Sequence, residues 1–296
     1  MTFRNWTLLL ALGTIWGGSF IFAKVAVAEI PPLVLVFFRV AIACGVLQLV
    51  LRATGRRFPT DARILGAFLI MGLLNNAIPF SLIFWGQTGI SAALASILNA
   101  TTPIFTFLVA AVALKQEPIR MHRIAGVLTG FVGVFTMLSS SLTGLHHDPV
   151  WAQFACLGAA LSYALAAAFA RTFKHLPPII SATGQLTGST LIMLPVAVLT
   201  AGDWQAAQTS TYVWLNVLAL GIGATAFAYL LYFRLLAEAG ATNASLVTLI
   251  VPASAILFGI LFLNERLTLY QLAGLGLLLS GLLLLDGRIL AKWQRA

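Results

Sequence analysis

The chain has 296 residues, 60% hydrophobic and only 8% charged, with a formal net charge of +9. Soluble domains carry roughly 25% charged residues, so the composition excludes a soluble globular protein and describes an all-α integral membrane protein. In a soluble chain the positive balance would point to nucleic acid. Here Lys and Arg sit in short loops between apolar runs, so the partner they imply is a lipid bilayer and not nucleic acid.

A membrane helix needs about 20 apolar residues. Ten such runs are predicted, over 6–28, 33–51, 63–85, 91–114, 123–141, 151–171, 179–200, 211–234, 243–263 and 268–286. The first is read as a retained helix and not a signal peptide, because no small-residue cleavage pattern ends it. It carries Trp16, Phe20 one turn later, and Lys24 near its end, where snorkelling to the interface is the expected role. Pro31-Pro32 precede the second span, in which Arg39 lies about 9 Å from the outer end at 1.5 Å per residue. Arg39 has three readings: it snorkels, pairs with backbone carbonyls, or holds a substrate carboxylate. A structural or gating role is favoured over direct binding.

Spans three and four meet at a turn between Gly86 and Gly89, and both carry uncharged polar residues at depth. Asn75, Asn76 and Pro79 lie in the third; Asn99, Thr101, Thr102 and Pro103 lie in the fourth. Polar groups in hydrocarbon need protein or trapped water as partners, and prolines at mid-depth interrupt helices where transporters build their sites. Packing between helices is the plainer alternative, but the clustering favours a cavity. Phe80 and Phe84 on span three, and Tyr229 and Phe233 on span eight, are each one turn apart. With Trp16 and Tyr163 at mid-span, they suggest either an aromatic-walled site or ordinary core packing, packing being the favoured reading for any single Phe. Trp6, Trp151, Trp204, Trp214 and Trp293 lie near span ends, as an interfacial belt requires.

Spans five and ten read as structural. Gly126, Gly130 and Gly133, with Gly274, Gly276 and Ser280, supply small residues for close helix packing. Packing within one chain is favoured over dimerisation, and a monomer is expected. Cys44 and Cys156 both fall in apolar runs and read as small buried hydrophobes. His146, His147 and Asp148 adjoin in the central loop and read as solvated; no metal and no cofactor are expected.

The two halves repeat. Pro31-Pro32 matches Pro177-Pro178, Pro103 matches Pro252, Glu117 matches Glu265, and Ala125-Gly126 matches Ala273-Gly274, at offsets of 146 to 149 residues. Five spans per half is an odd number, so the second half inserts upside down, which is a transporter architecture. The expected division is a first repeat over 1–142, a loop over 143–150, a second repeat over 151–287 and a basic tail over 288–296. With the N-terminus in the cytoplasm, 14 of the 17 Lys and Arg fall inside and only Lys24 and Arg266 toward the outside. Both termini are therefore expected to be cytoplasmic.

No HExxH, GxSxG or phosphate-binding glycine loop occurs, and no catalytic residue is assigned. A lipid-modifying membrane enzyme would want a nucleophile or an acid–base pair near an interface, and a structural or regulatory subunit would not need inverted repeats. All eight acids and all four histidines lie at span ends or in loops, so no mid-membrane proton relay is expected.

The WGGSF of span one, the in-span Arg39, and the pattern of Pro, then Glu, then Ala-Gly ending each half resemble the drug/metabolite transporter superfamily, EamA type. The stretch GLLNNAIPFSLIFWGQTGISAALASILNATTPIF resembles its YddG-like branch of aromatic amino acid exporters. The resemblance implies an inner-membrane exporter of aromatic or neutral amino acids, or similar small amphiphilic metabolites, working by alternating access. The alternative within the superfamily is a carrier for nucleotide sugars or phosphorylated metabolites. It further implies a cavity lined by Trp16, Phe20, Asn75, Pro79, Phe80, Phe84, Asn99, Thr102, Tyr163, Tyr229 and Thr248. Pro103, Pro252 and Arg39 would serve gating, and spans five and ten would form a separate pair.

Overall fold

The computed structural model describes residues 2–115, 117–142 and 148–287. His146, His147, Trp293 and the tail cations Arg288, Lys292 and Arg295 lie outside them. Among the described residues the chain is all helix, with no strands. Nine of the described helical segments are long and apolar enough to cross a membrane. They are α1 (Phe3–Ala26), α2 (Pro32–Ala53), α3 (Ala62–Gly89), α4 (Ala92–Val112), α5 (Met121–Leu142), α6 (Val150–Phe173), α7 (Pro178–Thr200), α8 (Thr211–Ala239) and α10 (Leu269–Asp286). The ninth in order, α9 (Val247–Leu263), is apolar but only 17 residues long. It follows a separate turn, Ala241–Ala244, and so falls short of the predicted 243–263.

Local chemistry sets the ends. Pro32 and Pro178 occupy first-turn positions in α2 and α7, where a missing N–H costs nothing. Asp61, Ser91 and Ser210 each accept from a backbone N–H of the helix they precede. Thr268 and Gln271 form a reciprocal capping box at the start of α10. Gly240 and Gly287, at φ of 78° and 69°, end α8 and α10 in the left-handed region.

The helices pair across the two halves of the chain. α1 packs on α8 and α9, α6 on α3 and α4, α2 on α7 and α8, α3 on α7, and α5 on α10. The α5–α10 pair is the most extensive contact between elements, and it is built on small residues. A Cβ on Gly126 would stand 2.7 Å from the Gly281 carbonyl oxygen, and one on Gly133 would stand 2.6 Å from the Gly274 carbonyl oxygen. The predicted Gly276 and Ser280 are instead exposed and off this contact. The contacting row on α10 is Gly274, Leu278 and Gly281, one helical stripe. Cys156 is buried, whereas Cys44 is half-buried with its Sγ 3.4 Å from the Thr187 hydroxyl.

A leucine at Gly281 must therefore push α5 and α10 apart. Gly281→Leu is expected to cost about 1–3 kcal/mol, as overpacking does, and to lower the melting temperature in detergent. Gly276→Leu, which meets nothing within 4 Å, is expected to leave it unchanged.

Candidate functional site: a cavity where the helices are irregular

Among the described residues, α3, α4 and α8 leave regular α geometry in mid-helix. In α3, Leu73–Ala77 is a π-helical turn. In α4, the helix breaks at Ala100-Thr101 and restarts at Thr102. In α8, Ala219–Phe227 is π-helical. At each irregularity a side-chain hydroxyl donates to a backbone carbonyl. Pro79 has no N–H to give to Leu74, five residues back in π register, and the Ser162 hydroxyl of α6 donates to the Leu74 oxygen instead, at 2.7 Å. Pro103 deprives Asn99 in the same way, and the Thr102 hydroxyl donates to the Asn99 oxygen at 2.7 Å. The Thr225 hydroxyl donates to the Leu220 oxygen at 2.8 Å.

These segments border a cavity of about 700 Å³, well within the range of small-ligand sites, roughly 300–1,000 Å³. Among the described residues its walls come from every helix except α5 and α10. It brings together Trp16, Phe20, Phe80, Phe84, Asn75, Asn99, Thr102, Tyr163, Tyr229 and Thr248, and also Pro103, Pro252 and Arg39. Pro79 is not among the lining residues. It is buried, and it acts through the backbone group it fails to supply. Pro103 stands at the restart of α4, whereas α9 runs unbroken through Pro252, and the interruption before it lies at Ser245-Leu246.

Nine of the lining residues are Trp, Phe or Tyr. Trp16 meets Tyr232 with centroids 5.6 Å apart, and Phe80 lies nearly parallel to Phe84 at 6.3 Å. Tyr232, Gln185 and Ser162 are not among the site residues expected from the sequence, although Gln185 follows Arg39 at the same 146-residue offset as Pro177 follows Pro31. Gln185 accepts from Asn75 Nδ2 at 2.9 Å. The Tyr229 hydroxyl donates to Asn76 Oδ1 at 2.9 Å, and Asn76 Nδ2 donates to the Ser189 hydroxyl at 3.3 Å. This network ties α3 to α7 and α8. Asn99 Oδ1 is buried with no partner among the described residues.

Arg39 does not snorkel. It is 6% exposed; its Nε donates to the Thr225 hydroxyl at 2.9 Å, and its Cζ sits 3.7 Å from the centre of the Phe80 ring. Lys24 does not snorkel either. Its Nζ donates to the carbonyl oxygens of Gln87 at 2.6 Å and Ile90 at 2.9 Å, where α3 ends and its last carbonyls lack helical partners. Next to it, Gln87 Nε2 donates to the Phe20 oxygen at 2.8 Å. The Glu265 carboxylate accepts from the N–H groups of Ala92 and Ala93, at 2.7 and 3.0 Å, at the start of α4. The cavity ends against this bonded layer. In the other direction it extends to Lys174, Pro178 and Ser245, at the ends of α6, α7 and α9.

Comparisons with known proteins agree with one another. The profile of the EamA-like transporter family matches residues 5–139 and 150–285. YoaV of Bacillus subtilis (strain 168), described as an uncharacterized transporter, is 25% identical over 275 residues, covering 93% of this chain and 94% of its own. A protein of Salmonella typhimurium named "Probable amino-acid metabolite efflux pump" is 26% identical over 292 residues, covering 95% and 94%. A protein of the same name from Escherichia coli (strain K12) is 26% identical, covering 95% and 94%. One solved crystal structure superposes with a TM-score of 0.70 over the whole of both chains at 18% identity, a likeness of fold.

Removing the Ser162 hydroxyl leaves the Leu74 carbonyl without its donor. Ser162→Ala is expected to cost about 1 kcal/mol, as interhelical hydrogen bonds in membranes do, measured as a lower midpoint in thermal unfolding in detergent.

Proposed function

Because the chain belongs to the EamA-like transporter family, a family of multi-pass membrane transporters, we propose that it exports aromatic or neutral amino acids, or similar small amphiphilic metabolites, across an inner membrane. The observation that carries this reading is the cavity itself. Its volume suits a single amino acid, nine of its lining residues are Trp, Phe or Tyr, and the uncharged polar groups of Asn75, Asn99 and Thr102 sit where α3 and α4 are irregular. The curated relatives named as amino-acid metabolite efflux pumps support the same substrate class. Within the family we place the chain in the YddG-like branch, on the stretch from Gly72 to Phe105.

The mechanism we assign is alternating access between two inverted five-helix repeats. Exchanging α1–α5 with α6–α10 turns each of the helix pairings described above into another of them, or into itself. That is the pattern of two halves related by a two-fold axis. The positive-inside bias sets both termini in the cytoplasm. The cavity then faces the cytoplasm, and the layer of Lys24, Gln87 and Glu265 forms the closed outer gate. The basic residues lining the cavity are Arg39 and Lys174. That is fewer than a phosphorylated metabolite calls for, so the amino acid reading stands ahead of the nucleotide-sugar one.

Two experiments test this. Liposomes holding only this protein are expected to show saturable counterflow of phenylalanine, tryptophan or methionine without a pH gradient, and none of a nucleotide sugar. Trp16→Ala and Tyr232→Ala are each expected to raise the apparent KM about fivefold, the loss of one aromatic contact of about 1 kcal/mol. Nucleotide-sugar flux without amino acid flux contradicts the assignment. Second, Glu265→Ala removes the two acceptors that hold the start of α4. In a background lacking Cys44 and Cys156, it is expected to increase labelling of Ala23→Cys by an impermeant maleimide added from outside. Unchanged labelling contradicts the gate.

A further inference from the structure

Among the described residues, Arg39 is a buried cation without a counter-ion. All eight carboxylates of the chain belong to helix ends and loops, and none forms an ion pair with Arg39. Its hydrogen bonding is also incomplete in a particular way. Nε is spent on the Thr225 hydroxyl, whose own proton goes to the Leu220 oxygen. One face of the guanidinium is covered by Phe80. The two Nη nitrogens have no bonded acceptor among the described residues, and they are not among the buried side-chain atoms sealed without a partner. The free edge therefore borders the cavity that Arg39 lines. Tyr163 lines the same cavity within electrostatic reach of Arg39, and its hydroxyl likewise has no partner among the described residues. The Tyr229 hydroxyl, also in reach, is already committed to Asn76.

The chemistry of this edge is specific. A guanidinium fixed at Nε and stacked on one face presents two parallel N–H groups, which match the two oxygens of one carboxylate. Burial strengthens such a pair, because the charge is otherwise uncompensated in a low-dielectric surrounding. One guanidinium and one hydroxyl suit a single negative charge, whereas a phosphate dianion asks for more cations. The aromatic walls beyond take an apolar body.

We infer that the free edge of Arg39, with the Tyr163 hydroxyl, anchors the carboxylate of the transported molecule, so that the cavity selects organic monocarboxylates, zwitterionic amino acids included, over their amide and alcohol analogues. The inference rests on the export reading above and deepens it. It makes Arg39 a binding residue, where the sequence favoured a structural or gating role.

The test is competition against counterflow of labelled L-phenylalanine in liposomes holding the full chain. Unlabelled L-phenylalanine, L-phenylalaninamide and L-phenylalaninol are the competitors. For the wild type, the amide and the alcohol are expected to need at least about tenfold higher concentrations than the acid, the loss of a charge-assisted hydrogen-bonded pair. In Arg39→Gln that preference is expected to fall to within about twofold, and in Arg39→Lys to stay in between. The wild-type ligand series decides the matter even if a variant fails to fold. Equal competition by acid and amide in the wild type overturns the anchor and leaves the amino-acid carrier standing. So does an undiminished preference in Arg39→Gln. Absence of phenylalanine counterflow in the wild type overturns the export reading and this inference with it.

Discussion

Every backbone polar group inside a bilayer must find a partner within the protein, and this constraint shapes the molecule more than any single contact. The chain departs from regular helix in α3, α4 and α8, and at each place a hydroxyl from the same or a neighbouring helix donates to a backbone carbonyl of the irregular stretch. Ser162 serves Leu74, Thr102 serves Asn99, and Thr225 serves Leu220. Because these repairs sit on facing elements, the irregular segments converge, and a cavity is left among them. The Thr225 repair has a second effect. The hydroxyl that closes the π-helical turn also accepts from Arg39 Nε, so the turn geometry of α8 sets the direction of a guanidinium carried by α2.

The two ends of the cavity are built differently. Toward Glu265, helix termini are bound by charged side chains: Lys24 on the carbonyls ending α3 and Glu265 on the N–H groups opening α4. Each places charge where the helix dipole favours it, a cation at a C-terminus and an anion at an N-terminus. Nearby, the Glu29 carboxylate accepts from the Ser210 N–H and hydroxyl at 2.7 and 2.8 Å, tying the turn after α1 to the start of α8. Such contacts hold while the helix ends stay together and are lost as a set when they part. That is the behaviour the proposed outer gate requires.

Much of this was legible in the sequence. The apolar runs located the helices to within a few residues, because hydropathy responds directly to the bilayer. The polar and proline cluster in spans three and four pointed to the depth of the cavity, and the aromatic pairs at one-turn spacing pointed to its walls. What escaped has a physical reason. The π-helical turns shift the phase of α3 and α8 by a residue, so positions read on a straight α-helix rotate. Tyr232 and Ser162 gained roles that periodicity alone did not assign. On α10, Gly276 and Ser280 had the right residue types but the wrong face, and only the position of α5 picks out Gly274 and Gly281. Lys24 looked like an interfacial lysine because nothing local reveals that the end of α3, 63 residues later in the chain, lies beside it.

The central claim is that the substrate lies in this cavity with its acid group at Arg39 and its apolar part among the aromatic walls. The most direct measurement is a crystal structure of the protein with 4-bromo-L-phenylalanine, the bromine located by its anomalous signal. The account predicts a bromine peak among Trp16, Phe20 and Tyr232, with carboxylate density against the free edge of Arg39. A bromine peak outside the cavity, or inside it with the carboxylate turned away from Arg39, would contradict it.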